Sequence, residues 1–512
     1  MLILMGLLLA LSSELRSARS PHPPAPLSLR RERGENWQRR LRGEQSDAAS
    51  GLPPLPSEGE GGGGVRAASP KYPRYTEMQA KIKEWKRRYP TLIHETVLGK
   101  TVEGRSIPLL RLSDDAAPDA KEPGVLMVAG IHPRESQPPV CLLWLADELL
   151  SGYGKDERVT RLLRERQIYL VPVLNVDGKI FDETAKPPKL GQDWRKNRRK
   201  AVGGGGTSVG VDLNRNFPVR WGGFRETDAL WKDRTNRVGA NIYEGPSSLS
   251  EPESKALADF FAAHAGDVRL FVDLHSPLRK ILFPNYLGEA DADRYEELAA
   301  GIQGLQEDRP YTATEVKRDA EPPDGSRPGN TGLSYTYAYY VHGIYGFNIE
   351  IGLNDEKDES ATSGDLAPRH YPPLAGVRAE YEANIREPLL YLLDMAGGLT
   401  SGTRKVTAPG ASEQDGPLLP GATVSWKPVL SESSGFAVLT SESPAIVVQS
   451  ELRVLPIGTG FTLRVAGSAK PGTVVPCTLI VWDRERNRSV RRFTLTVAGS
   501  GDTIIPKDGV KK

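Results

Sequence analysis

His132 and Glu135, three residues apart in the turn HPRE, are the first residues in this 512-residue chain whose types and spacing could do chemistry. Imidazole nitrogen and carboxylate oxygen are both ligands that zinc accepts, at about 2.0–2.2 Å. A catalytic zinc takes three protein ligands and keeps one position open, so a second histidine is required further along. Of the seven histidines, only His132 and His275 fall at the ends of apolar, strand-like runs, and His275 follows VRLFVDL. The bland alternatives are a polar turn that contains HxxE by chance and a histidine that merely caps a strand. Glu350, inside FNIEI, resists the bland reading most, because a carboxylate among Phe347, Ile349 and Ile351 is costly to bury without a partner.

Such residues need strands and helices to carry them. Val125 to Gly130 reads as an apolar strand that runs into the HPRE turn, and Gln137 to Leu150 as a buried helix after it. Upstream, Met78 to Tyr89 has helical spacing and stops at Pro90. His94 to Leu98 and Ile107 to Leu112 then form a hairpin around GKTVEGRS. Downstream come a strand at Ile168 to Leu174, a helix at Ser250 to His264 with a Ser250–Glu253 capping box, and a strand at Val268 to Leu274. A helix at Asp291 to Gln306, a strand at Phe347 to Ile351 and a long helix at Val377 to Met395 complete the pattern. This is α/β, with a mixed, largely parallel central sheet flanked by helices. In such sheets ligands bind outside the carboxyl ends of the strands, where His132, Glu135, Asn214, Arg215, His275 and Glu350 all fall. Beyond Gly402 the signal changes to six short strands separated by Gly, Pro and Ser, which predicts a small all-β sandwich over residues 403–512.

Composition bounds the rest. A hydrophobic fraction of 38% describes a soluble protein, and a formal charge of +2 recommends no nucleic-acid partner. Two distant cysteines, Cys141 and Cys477, offer no disulfide framework. Met1 to Leu11 is apolar but too short to span a bilayer, so residues 1–19 read as a secretory signal and the protein as secreted or periplasmic. Residues 20–69, rich in Pro, Gly, Arg and Glu, read as a disordered linker or pro-segment without a folded activation domain.

The motifs HPRE, DWRKNR, VDLNRNF, DLHS and FNIEIG, in that order, resemble the zinc metallocarboxypeptidases of the pancreatic carboxypeptidase A type over about residues 70–400. The resemblance implies one zinc per chain, held by His132, Glu135 and His275. It implies that Arg195 polarises the scissile carbonyl, that Asn214 and Arg215 hold the substrate's terminal carboxylate, and that Glu350 acts as general base and then acid. Each role suits the chemistry: a guanidinium fork matches a carboxylate, and a glutamate can relay a proton. Asp212 is placed to orient His132. For Lys196, Arg198, Arg199 and Lys200 the preferred reading is a solvated basic loop.

The match thins before the catalytic glutamate. The family's mobile tyrosine has four candidates here, Tyr335, Tyr337, Tyr339 and Tyr340, and the specificity position falls near Thr336. No acidic residue lies between Gly325 and Phe347, which points to an apolar or aromatic C-terminal residue rather than Lys or Arg. The expected partner is a peptide or protein with a free C-terminal carboxylate. The rivals are a same-scaffold amidase for cell-wall peptides or N-acyl amino acids, and a non-catalytic peptide-binding relative.

Overall fold

Eight strands form the central sheet of the computed structural model, which describes most of residues 72–499. The longest stretches outside the description are 201–209, 222–239, 319–331, 353–369 and 400–411. The expected leader and linker, residues 1–69, lie outside the described residues. The strands are β1 (Ile93–Lys100), β2 (Ser106–Leu112), β3 (Gly124–Val128), β4 (Gln167–Val171), β5 (Val268–His275), β6 (Lys280–Leu282), β8 (Thr312–Ala313) and β10 (Tyr345–Glu350). Their order is β1-β2-β4-β3-β5-β10-β6-β8, while β7 (Tyr286–Leu287) and β9 (Lys317–Arg318) pair only with each other. The four central strands β4, β3, β5 and β10 run parallel, β2 and β6 join them antiparallel, and β1 pairs antiparallel with β2. Strands β3, β4 and β10 are buried at every residue, as expected of a sheet covered by helices on both faces.

The flanking helices are α1 (Tyr75–Arg88), α2 (Gln137–Gly152), α3 (Glu157–Glu165), α4 (Val176–Asp182), α5 (Pro252–Ala263), α6 (Glu289–Gly304), α7 (Ser334–His342), α8 (Leu374–Glu380) and α9 (Arg386–Met395). Helix α1 buries Met78, Ile82 and Trp85, the stripe its spacing predicts, and stops before Pro90. Helices α3, α4 and α7 extend the sequence reading. Asn175 caps α4 by accepting the Gly178 N–H.

Two expectations are corrected. The capping box at Ser250 does not form: Glu251 is the N-cap, Ser250 turns its hydroxyl to Glu251, and Glu253 is drawn inward. Its two oxygens accept the Val102 N–H (3.0 Å) and the Asn197 amide (3.2 Å), partners worth more than a cap. The long C-terminal helix is also interrupted, by a π turn at Tyr381–Ile385 between α8 and α9. Pro388 explains it, because a proline has no N–H and its ring crowds the carbonyl four residues earlier, which is that of Asn384.

From residue 412 the chain forms β11 (Ser412–Gln414), β12 (Thr423–Pro428), β13 (Gly435–Ser441), β14 (Ile446–Val448), β15 (Leu455–Pro456), β16 (Phe461–Val465), β17 (Val474–Asp483) and β18 (Arg488–Thr496). They make two four-stranded antiparallel sheets, β11-β12-β16-β14 and β15-β13-β17-β18, around a core that includes Trp426, Leu439, Leu463 and Leu479. Both cysteines are buried and neither is in a disulfide, and among the described residues no helix is long and apolar enough to cross a membrane.

Candidate active site

The chain leaves β3 through Gly130, whose φ of +64° and close approach to the Val173 backbone suit a residue without a Cβ. The turn that follows is closed by the Glu135 N–H on the His132 carbonyl (3.2 Å). This brings His132 and Glu135 to the carboxyl end of β3, next to His275 at the end of β5. His132 Nδ1 lies 2.7 Å from Glu135 Oε1, His275 Nδ1 lies 3.0 Å from Glu135 Oε2, and the two Nδ1 atoms are 3.1 Å apart. All three side chains are buried, with one ligand atom from each within 4.8 Å of the others. Two imidazole nitrogens facing each other at this distance across a carboxylate call for a positive charge between them.

The outward-facing nitrogens are each backed by a carboxylate. His132 Nε2 lies 3.1 Å from Asp212 Oδ1, and His275 Nε2 lies 3.1 Å from Asp273 Oδ2. Asp212 was expected in this place. Asp273 was quoted only as part of DLHS, although a residue two positions before His275 on a strand must share its face. Asp212 also accepts from Arg195 Nε at 2.9 Å. Burial alone would raise the Asp212 carboxyl, but Arg195 and His132 hold it well below the usual carboxylate range.

Arg195 is delivered by a loop tied down on several sides. Asp193 adopts φ +54°, the Trp194 N–H reaches Asp182, and the Trp194 carbonyl accepts the Arg134 N–H. The Asp193 carboxylate meets His370 Nδ1 at 2.9 Å and Arg134 at 3.6 Å. These ties overturn the solvated-loop reading for three of its four residues. Lys196 is buried, and desolvation pushes its ammonium down to about 8. Arg198 lies 3.6 Å from the centre of the Phe181 ring and 4.8 Å from that of Trp194, and Arg199 pairs with Glu251 at 2.6 Å. Lys200 alone is exposed.

Glu350, at the end of β10, is buried, and its Oε2 has no hydrogen-bond partner among the described residues. Burial lifts its carboxyl to about 7, opposed by His275 and Arg195 and assisted by Glu135. Asn214 and Arg215 sit on a 3-10 turn, Leu213–Arg215, that Asp212 caps by accepting the Asn214 N–H. The Asn214 Oδ1 accepts the Ser334 N–H, and its Nδ2 lies 3.1 Å from His275 Nε2. Arg215 donates to the Asn214 carbonyl at 2.6 Å. Of the four candidate tyrosines, Tyr335 lies close enough to Arg215 and Glu350 to feel their charges. Tyr337 packs on Phe217 and His342, Tyr339 donates to Asp291, and Tyr340 lies against Tyr339. The Thr336 hydroxyl turns back to the Leu333 carbonyl. Ser334, which the sequence reading passed over, donates its hydroxyl to Asp273.

Residues 78–369, more than half of the chain and all of the side chains just described except His370, match the zinc carboxypeptidase family. The chain belongs to the zinc carboxypeptidase family. It is 32% identical over 219 residues to mast cell carboxypeptidase A of Mus musculus, covering 42% of this chain and 48% of that one. It is 32% identical over 243 residues to carboxypeptidase B of Homo sapiens, covering 45% and 52%. The chain therefore spans about half the length of these curated relatives. Among solved structures, bovine thrombin-activatable fibrinolysis inhibitor in complex with tick carboxypeptidase inhibitor aligns with a TM-score of 0.50 at 26% identity, covering 64% of this chain and 97% of that one. Carboxypeptidase A from Helicoverpa armigera has a TM-score of 0.52 at 23% identity, covering 64% and 74%, and shows the same fold. The sheets of residues 412–496 lie beyond the span that the family matches.

Proposed function

We propose that this chain is a zinc-dependent metallocarboxypeptidase that hydrolyses the C-terminal peptide bond of peptides or proteins. Residues 70–400 form its catalytic region and residues 403–512 an appended β-module. The apolar run at residues 1–11 supports export, with residues 20–69 as linker or pro-segment. One observation carries the proposal: both Nδ1 atoms converge on the Glu135 carboxylate, each imidazole backed by a carboxylate on its far side, beside the unpartnered Glu350 oxygen.

The residues fit one zinc ion, since two imidazoles and a carboxylate match its preferred donors and leave a position open. Bound there, zinc supplies Lewis acidity, which lowers the pKa of water to near 7 and polarises a carbonyl. Asp212 and Asp273 fix the two ligand rings and keep each Nδ1 lone pair turned inward. Glu350 takes the proton of the attacking water and then gives it to the leaving amine. Arg195, oriented by Asp212, donates to the oxygen on which negative charge grows.

Arg215 grips the terminal carboxylate with its guanidinium. Asn214 assists it. When His275 turns Nδ1 inward, its Nε2–H goes to Asp273, so the Asn214 Nδ2 at 3.1 Å finds no acceptor there and is free to donate to substrate. The lack of an acidic residue between 325 and 347 supports an apolar or aromatic C-terminal side chain.

The test is release of C-terminal residues from a mixed peptide pool by wild type, Glu350→Gln and chelator-treated enzyme, with C-terminally amidated peptides as control. Release by wild type alone, restored by zinc after chelation and absent on amides, is expected. Peptides bound equally by wild type and Glu350→Gln without release would favour a binding protein. Activity restricted to cell-wall peptides or N-acyl amino acids would favour the amidase alternative.

A further inference from the structure

Helix α7 runs from the site to the C-terminal sheets. At its first turn Ser334 donates its N–H to Asn214 and its hydroxyl to Asp273, and Tyr335 feels Arg215 and Glu350. No side chain of its own caps this end, whose N-cap is Leu333, so a site residue satisfies the exposed N–H instead. At its last turn the helix meets Arg492 of β18. The guanidinium Nη2 donates to the Val341 carbonyl at 3.2 Å and reaches His342 Nδ1 at 2.5 Å. A cation on the last carbonyls of a helix complements its dipole. His342 must be neutral to accept, and burial, followed by the charge of Arg492, lowers its pKa well below the ordinary imidazole value.

Strand β17 shows the same attachment by burial. Val475, Cys477, Leu479 and Val481 point into the core between the two C-terminal sheets. Ile480 points the other way and is equally buried, but within the large core of the α/β region. Alternation with a period of two thus divides one strand between two cores. Thr478 pairs across the sheet with Arg492, which places Ile480 and Arg492 on one face, against α7.

We propose that the C-terminal sheets brace the substrate-binding helix, with Arg492 as the positioning residue. A nine-residue helix is a rigid rod of about 13 Å, so a shift at His342 is transmitted to Ser334 and Tyr335. The kinetic part of this inference rests on the carboxypeptidase reading; the structural part does not.

The test uses full-length wild type, Arg492→Met, Arg492→Lys and, as a control at an exposed position of the same strand, Thr494→Ala. Two readouts are taken, amide hydrogen exchange of residues 334–343 and steady-state kinetics on a peptide with a free C-terminus. For Arg492→Met, exchange in α7 quickens at least tenfold and KM rises at least fivefold, while kcat stays within twofold. Arg492→Lys, which keeps a donor for the Val341 carbonyl, recovers part of both, and Thr494→Ala matches wild type. Unchanged exchange and KM in a folded Arg492→Met, or in Arg492→Lys if the first variant does not fold, overturns the brace and leaves the carboxypeptidase standing. Faster exchange in α7 together with a wild type that releases no C-terminal residue keeps the brace and removes the carboxypeptidase reading.

Discussion

Glu350 and His275 are register partners at the carboxyl ends of the adjacent parallel strands β10 and β5. The pairing continues one residue further, where the Ile351 N–H donates to the His275 carbonyl at 2.7 Å. Neighbouring strands lie about 4.8 Å apart, so the backbone itself sets the distance between the proposed base and a proposed metal ligand. No loop has to close to bring the two together. The cost is a buried carboxylate, which the sheet holds in place without solvating it.

Replacing that carboxylate with an amide of the same shape should isolate its chemistry. For Glu350→Gln we expect kcat to fall by about 10²–10⁴, the usual contribution of a positioned base, with KM and bound zinc near wild type. The base must be ionised to accept a proton, and burial raises its carboxyl to about 7 among His275, Glu135, Arg195 and Asp273. The charge of a bound dication pulls it below that value. In wild type, kcat/KM should therefore fall as pH drops through an acid limb at or below 7, and the residual rate of Glu350→Gln should lack that limb. A wild-type acid limb that survives in Glu350→Gln would assign it to another group.

Asp273 is the second carboxylate behind the proposed ligand set. Asp273→Asn keeps its volume but removes the charge that faces His275 Nε2 at 3.1 Å. Zinc affinity should weaken by about 10–100-fold, the range for partners that orient metal ligands. Competitive titration with a chelator measures this without any reference to turnover. Asp212→Asn should weaken zinc binding similarly and in addition lower kcat, because Arg195 depends on the same carboxylate. Equal kcat loss in both variants at saturating zinc would contradict this division of labour.

Much of the fold and of the site was readable because strand ends carry chemistry in parallel sheets. VRLFVDLH and FNIE declare both the strand and the residue at its mouth, so His275 and Glu350 could be placed before any coordinates. The ends of helices were less legible. Ser250 and Glu253 have capping-box spacing, yet the Val102 N–H and Asn197, distant in sequence, compete for Glu253 and win. The RKNRRK run looked solvated because charge alone cannot reveal an aromatic wall: Arg198 lies against both Phe181 and Trp194 only once α4 is folded. Helix α7 was hidden for a related reason. Its tyrosines and Thr336 favour strands by propensity, and tertiary packing overrides that preference. Asp193 and His370, which secure the Arg195 loop, are joined only in space.

Arg215 should set affinity rather than rate. Arg215 is half-buried near Tyr335 and Glu350, and its guanidinium donates back to the Asn214 carbonyl. For Arg215→Ala we expect KM for a peptide acid to rise about 100-fold, the loss of a charge-assisted bidentate contact of roughly 3 kcal/mol, with kcat changed far less. Arg215→Lys should recover only part, because an ammonium is not a planar fork. Discrimination between a peptide acid and its amide should shrink in the same order. If the alanine variant still prefers the acid as strongly as wild type does, the terminal carboxylate is held elsewhere.

Gly332 connects Arg215 to α7. It has φ +65°, accepts the Phe217 N–H and donates to the Val219 carbonyl, so its backbone is held from both sides. A Cβ built there would fall inside contact distance of the Arg215 carbonyl. Gly332→Ala must therefore adopt a left-handed conformation, at about 1–2 kcal/mol, and also push Arg215 or the start of α7 aside. We expect a lower melting temperature together with a raised KM, since either displacement moves a group that lines the proposed substrate site. Zinc affinity should stay near wild type, because the three proposed ligand residues reside on other segments. Loss of stability with unchanged KM would show that the chain absorbs the methyl group away from Arg215, and that this close approach shapes the fold without shaping substrate binding.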